Sequence, residues 1–133
     1  MIPKRAPIMW IEYNPNPKKK RIGDCAVRAI AKALDVDWET AYIKLCMNGY
    51  RLSDLPNAVA VYGALLRQNG FIREAIPNTC PDCYTVNDFC NDHPEGRFVI
   101  VTGNHVVTAI DGNYYDTWES GEEIPILYFK EEK

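Results

Sequence analysis

No apolar run in this chain approaches the roughly 20 residues that a bilayer-spanning helix needs. The longest, from Ala58 to Leu66, is interrupted by Tyr62 and Gly63, so no transmembrane helix and no membrane partner is expected. The N-terminus puts Pro3, Pro7 and two charges where a signal peptide needs an unbroken apolar core, and it lacks a small-residue cleavage site. The chain is therefore read as cytoplasmic. Charge of one sign is also missing: 15 basic against 18 acidic residues leave a net −3. No global positive field exists to hold nucleic acid, which is not expected as a partner. Cysteines number only five, an odd and unevenly scattered set. A disulfide framework is not expected, and reduced thiols are the default. Neither an internal repeat nor a low-complexity tract occurs, and no cofactor is implied.

What remains is an ordinary folded composition, 47% hydrophobic and 25% charged over 133 residues, which suits one domain with its own core. Residues 1–22 carry four prolines and the run Lys18-Lys19-Lys20-Arg21 and suit an extended segment rather than a regular element. Residues 23–92 read as mainly helical. Helices are expected over 24–34, over 38–46 with Asp37 as cap, over 58–68 with Asn57 as cap, and over 86–92 with Thr85 as cap. Residues 97–129 read as an antiparallel sheet, with β-branched and aromatic runs at 97–102, 104–110, 114–118 and 124–129. Helices first and strands second give an α+β fold, the helical layer on one face of the sheet.

Cys25 opens the first expected helix after Gly23-Asp24, where unpaired backbone N–H groups and the helix dipole favour an anion and so lower a thiol pKa. A small buried apolar residue would also fit that position. His105 and Asp116 supply the second observation. If Asp111-Gly112 makes a two-residue type I′ turn, Ile110 faces Asn113 and Val107 faces Asp116. His105 then lies diagonal to Asp116 on one face, about 7–8 Å away at the backbone and within side-chain reach. A one-residue slip would turn Asp116 away.

Gly23-Asp24-Cys25, Asn104-His105-Val106-Val107 and Asp116-Thr117-Trp118, in that order, resemble the Gly-x-Cys, Asn-His-Ala-Val and Asn-Ser-Trp motifs of the papain-like cysteine peptidases. The resemblance implies that Cys25 attacks a carbonyl, His105 serves as base and then acid, Asp116 orients His105, and Trp118 shields their contact from water. It further implies that Asp116→Ala costs reactivity without much stability and that Asn at 116 partly rescues it. The family's oxyanion-hole glutamine lies six residues before the cysteine, where this chain has Lys19. Asn14 and Asn16 are amides that could replace it, and each is equally turn punctuation before a proline. Cysteine and histidine are 80 residues apart here against roughly 130–150 in papain, so a shallower groove is expected. Cys25-Ala26-Val27-Arg28-Ala29 is also similar to the Cys-x-x-Arg-Ala helix of the ovarian-tumour class of deubiquitinases, and small domains of this type are familiar from bacterial and phage genomes.

Cys80, Cys83, Cys90 and His93 form a weaker constellation, two pairs of conceivable zinc ligands. The six residues between the pairs make a tight loop, and His93-Pro94 reads as a helix stop, so no structural zinc is expected. Trp38/Tyr42 and Tyr62/Leu66 have helical spacing and read as core, as does Cys46. The expectation is a thiol peptidase or amidase acting on a peptide or protein through Cys25, His105 and Asp116. The alternatives are an acyl transferase of transglutaminase type, a non-catalytic binding module on the same fold, and, least favoured by the acidic total, a zinc-stapled nucleic-acid adaptor using Lys18–Arg21.

Overall fold

The computed structural model describes residues 9–132. Residues 1–8, including the prolines at 3 and 7 of the segment expected to be extended, lie outside the described residues, as does residue 133. In chain order the elements are β1 (Met9–Glu12), α1 (Cys25–Leu34), α2 (Trp38–Leu52), α3 (Val59–Gln68), β2 (Phe71–Ala75), α4 (Val86–Asp92), β3 (Arg97–Thr102), β4 (Val106–Ile110), β5 (Asn113–Asp116) and β6 (Pro125–Glu131). Among the described residues this is a mixed α+β structure of four helices and one six-stranded sheet, ordered β1-β5-β4-β3-β6-β2.

Three sequence expectations are corrected. The sheet is mixed rather than antiparallel, because β1 pairs in parallel with β5 while the other strands pair antiparallel. Two of its strands come from stretches read otherwise: β1 from the proline-punctuated N-terminal segment and β2 from the stretch read as helical. Both are edge strands; β2 buries only Phe71, which leaves almost no apolar alternation to read. The third correction is that helices cover both faces. Helices α1–α3 enclose one core with Phe71, Val99, Val101, Val106, Leu127 and Phe129. Helix α4 closes the other, packing Val86, Phe89 and Cys90 on Phe98, Ile100, Val107, Ala109 and Tyr114.

Helix α1 lies at the centre because its inward side is mostly alanine. Ala26, Ala29, Ala31 and Ala33 are buried, and such small side chains permit close approach to β4, where the Thr108 hydroxyl donates to the Ala29 carbonyl at 2.7 Å. The far end of α1 is held by Arg97, whose guanidinium donates to the carbonyls of Lys32 and Ala33 at 2.9 Å each. Asp37 caps α2 by accepting from the Thr40 N–H at 2.8 Å, and α2 runs on to Leu52 instead of ending at 46. Asn48 and Gly49, in the added stretch, each have a packing role. Asn48 Nδ2 donates to the Val61 carbonyl at 2.8 Å, and a Cβ at Gly49 would sit 2.8 Å from the Asp54 carbonyl oxygen. Thr85 and Asp88 close a capping box on α4, whereas α3 starts after Ala58 with no side-chain cap, one residue later than expected.

Candidate active site

The hairpin of β4 and β5 determines what His105 can touch. Asp111 and Gly112 have φ of 51° and 82°, the positive values a two-residue type I′ turn demands. Ile110 faces Asn113, Ala109 faces Tyr114 and Thr108 faces Tyr115, so the next pair in the same register is Val107 with Asp116. On the other side of β4, the N–H and hydroxyl of Thr102 both donate to the His105 carbonyl, at 2.8 and 3.2 Å. The turn through Gly103 and Asn104 is thereby fixed, and with it the start of β4.

His105 Nε2 lies 2.6 Å from Asp116 Oδ2, with the two side chains only 8% and 1% exposed. The imidazole also interacts with the Cys25 thiol at the start of α1; with Nε2 taken by Asp116, Nδ1 is the nitrogen left to face sulfur. Trp118 packs over the imidazole, ring centroids 5.1 Å apart. Cys25, His105, Val59, Tyr62 and the 101–106 turn line a cleft of about 100 Å³. Tyr62 is thus core and cleft wall at once.

The electrostatics follow from this geometry. Burial alone would push the Cys25 thiol up, but the bond to His105, the charge of His105, the N–H of Val106 and the charge of Arg28 outweigh it and hold the thiol below its ordinary value. Burial would likewise disfavour protonated His105, yet its bonds to Asp116 and Cys25 and their charges raise it to about 9. Asp116, pushed up by burial, is pulled down further by His105, Ser120 and the Thr117 N–H, so its carboxyl is held below the usual range. Imidazolium and carboxylate therefore coexist at neutrality, and the Cys25 thiolate beside them forms at a lower pH than that of an ordinary cysteine. Raising pH through the lowered Cys25 pKa creates the thiolate; raising it through about 9 removes the imidazolium proton. Alkylation, which needs only the thiolate, should rise and then level off, whereas any amide cleavage, which also needs the acid, should rise and fall again above pH 9. Parallel pH profiles for iodoacetamide and a peptide anilide would reveal the divergence; a coincident fall would remove His105 as the acid.

Beneath the visible triad lies a buried charge network that the sequence did not disclose. Arg28, one turn into α1 and 6% exposed at its side chain, pairs with Asp24 and reaches Asp116 Oδ1 at 3.0 Å. Asp24 stands at the N-cap position of α1, but its side chain makes no capping bond; its other oxygen accepts from Trp38 Nε1 at 2.9 Å. Ser120 donates to Asp116 Oδ2 at 2.6 Å, and the Thr117 N–H donates to Oδ1 at 2.7 Å. Asp116 thus receives four donors. Its own carbonyl accepts from Trp10 Nε1 and the Tyr13 N–H, at 3.0 and 2.9 Å. The i, i+4 spacing of Asp24 and Arg28 was the only available hint, and such spacing usually marks a solvated pair.

Other candidates are placed elsewhere. Asn14 and Asn16 serve their own loop: Asn14 Oδ1 accepts from the Asn16 N–H at 3.3 Å, and Asn16 Oδ1 accepts from the N–H groups of Lys18 and Lys20 at 2.9 and 3.3 Å. Neither lines the Cys25 cleft. In the basic run, Arg21 is spent on Glu12 and the Thr117 carbonyl, 2.7 Å each, and Lys19 on the Asn14 carbonyl at 2.9 Å. The four conceivable zinc ligands are not assembled. Cys80 and Cys83 are joined in a disulfide, which corrects the expectation that all thiols are reduced. Cys90 is buried, its thiol pushed up to about 12, and His93 stacks on Phe89 at 3.9 Å while Nδ1 contacts the Phe89 carbonyl. Among the described residues, no group of three or more His, Cys, Asp or Glu is placed to hold a metal ion, and no helix is long and apolar enough to cross a membrane. Trp38 and Tyr42 stack at 4.9 Å with Tyr42 exposed, at the surface rather than in the core. No protein-family model matches the chain, nor does any curated protein or solved structure.

Proposed function

We propose that this chain is a compact papain-like thiol hydrolase that cleaves an amide or peptide bond through Cys25, His105 and Asp116. The observation that carries the reading is that Cys25 and His105 line one cleft while His105 Nε2 lies 2.6 Å from Asp116 Oδ2 in a nearly solvent-free setting. Cys25 Sγ adds to the carbonyl carbon, and the backbone N–H at the start of α1 meets the oxygen that becomes negative. His105 passes its proton to the departing amine as the C–N bond breaks, leaving a thioester. Water then attacks that thioester while His105 accepts its proton, and the carboxylic acid and the thiol are released. Asp116 holds the imidazole in place and balances its charge; Trp118 covers the pair. Transfer of the acyl group to an amine in place of water requires only a different second nucleophile.

A binding module on the same fold is the second reading. Lys19 in the place of a glutamine, together with the local employment of Asn14 and Asn16, favours it. Iodoacetamide separates the two. Native protein at pH 6–7 should be alkylated at Cys25 well before Cys46 and the buried Cys90, as peptide mapping would show. Equal labelling of Cys25 and Cys46 would overturn the hydrolase reading.

A further inference from the structure

A second cavity, of about 220 Å³, lies against the start of α1. Its lining begins in the residues that bracket Cys25: Ile22, Gly23 and Asp24 before it, Ala26 and Val27 after it. Tyr42, Leu45 and Cys46 of α2 complete the wall with Pro56 and Asn57, the latter a polar but uncharged residue. Leu45 is fully buried and Ala26 nearly so, which makes the floor apolar. The one carboxylate in the lining, Asp24, is already satisfied by Arg28 and Trp38 Nε1, leaving it nothing to offer a cationic group. A Cβ built at Gly23 would meet nothing within 4 Å, so a chain can pass over this backbone to reach the cavity.

We infer that this cavity is a specificity subsite that takes one large aliphatic or aromatic side chain of the substrate, next to the bond presented to Cys25. The inference rests on the reading of Cys25 as nucleophile and adds what that nucleophile selects. A volume equal to roughly seven liquid-water shares suits Leu, Met or Phe. An apolar floor with no unpaired charge disfavours Lys and Asp, whose burial without a partner is costly. Burying such a side chain corresponds to about a 10- to 100-fold gain in rate constant over glycine.

The test is a series of peptidyl chloromethyl ketones that differ only in carrying Gly, Leu, Phe, Lys or Asp beside the reactive carbon. Each is scored by its second-order rate of adduct formation on Cys25, alongside iodoacetamide, which carries no side chain. Leu and Phe probes should react about 10–100 times faster than Gly, with Lys and Asp no faster than Gly. In Cys46→Phe, which fills the cavity from its wall, the Leu-to-Gly ratio should fall towards one; should that variant not fold, the wild-type series still decides. Similar rates for all five probes, or a Leu preference that survives Cys46→Phe, would overturn the subsite. If iodoacetamide favours Cys25 and the probes show no preference, only the subsite falls. If iodoacetamide does not favour Cys25, the nucleophile and the subsite fall together.

Discussion

Arg28→Met should destabilise the protein by about 3–5 kcal/mol, the cost of removing one partner from a buried ion pair. The reason is that Arg28 serves two carboxylates at once, Asp24 and Asp116, whose side chains are only 5% and 1% exposed. Without the guanidinium, both must either stay buried and charged or take up protons. Arg28→Lys should recover only part of the loss, because one ammonium on a single stem cannot reproduce a fork reaching two acceptors. Urea or guanidinium titration followed by circular dichroism measures it. A midpoint for Arg28→Met within error of the parent would mean the network contributes nothing to folding.

His105→Ala should lower any amide cleavage by about 10²–10⁴-fold, the range associated with a positioned acid–base group, and should return the Cys25 thiol towards its ordinary pKa because two of the groups holding it down are properties of His105. Asp116 gives the more discriminating comparison. From sequence, Asp116→Ala reads as a loss of reactivity with little loss of stability, and Asp116→Asn as a partial rescue. The donor set changes both expectations. Oδ1 faces Arg28 and the Thr117 N–H, and Oδ2 faces His105 and Ser120, so all four lone-pair positions meet donors. An asparagine that turns its NH₂ towards Arg28 and the Thr117 N–H loses two bonds, and one that turns it towards His105 and Ser120 loses the bond from the imidazolium. Asp116→Asn should therefore rescue poorly in both thiol reactivity and melting temperature, and Asp116→Ala should lower stability as well as reactivity. Near-complete rescue by Asn would show that Arg28 does not constrain the orienting group.

That donor set also gives a physical reason for aspartate where the papain-like motif has asparagine: an adjacent buried guanidinium calls for a charged acceptor. The departure was visible in the sequence; its cause was not. Cys25, His105 and Asp116 were legible because each sits beside a local signal, a helix start, a Gly-Asn turn and an Asp-Gly turn, and turn chemistry sets strand register without knowledge of the rest of the fold. Arg28 was not, since an arginine one turn into a helix looks solvated until the sheet beneath it is known. Ser120 lies in a loop whose path no periodicity reports. Strands β1 and β2 were missed for a related reason: edge pairing of segments only four and five residues long, of which β2 buries Phe71 alone, leaves little pattern in the residues themselves. The covalent link between Cys80 and Cys83 fell outside an argument built on compartment rather than on the proximity of the two residues.

The parallel pairing of β1 with β5 has a consequence in time. Residues 9–12 are made well ahead of residues 113–116, yet they lie side by side, and the carbonyl of Asp116 is held by Trp10 and Tyr13 from the earlier segment. Contacts so distant along the chain form late, because the entropy of closing the loop must be met before they give anything back. Cys25 emerges from the ribosome 80 residues ahead of His105, and both His105 and the Val106 N–H belong to the part still to come. A nascent chain that already holds α1, α2 and α3 thus lacks two of the groups, His105 and the Val106 N–H, that hold the Cys25 thiol down. The full lowering of that thiol therefore waits until β4 has joined the sheet beside α1.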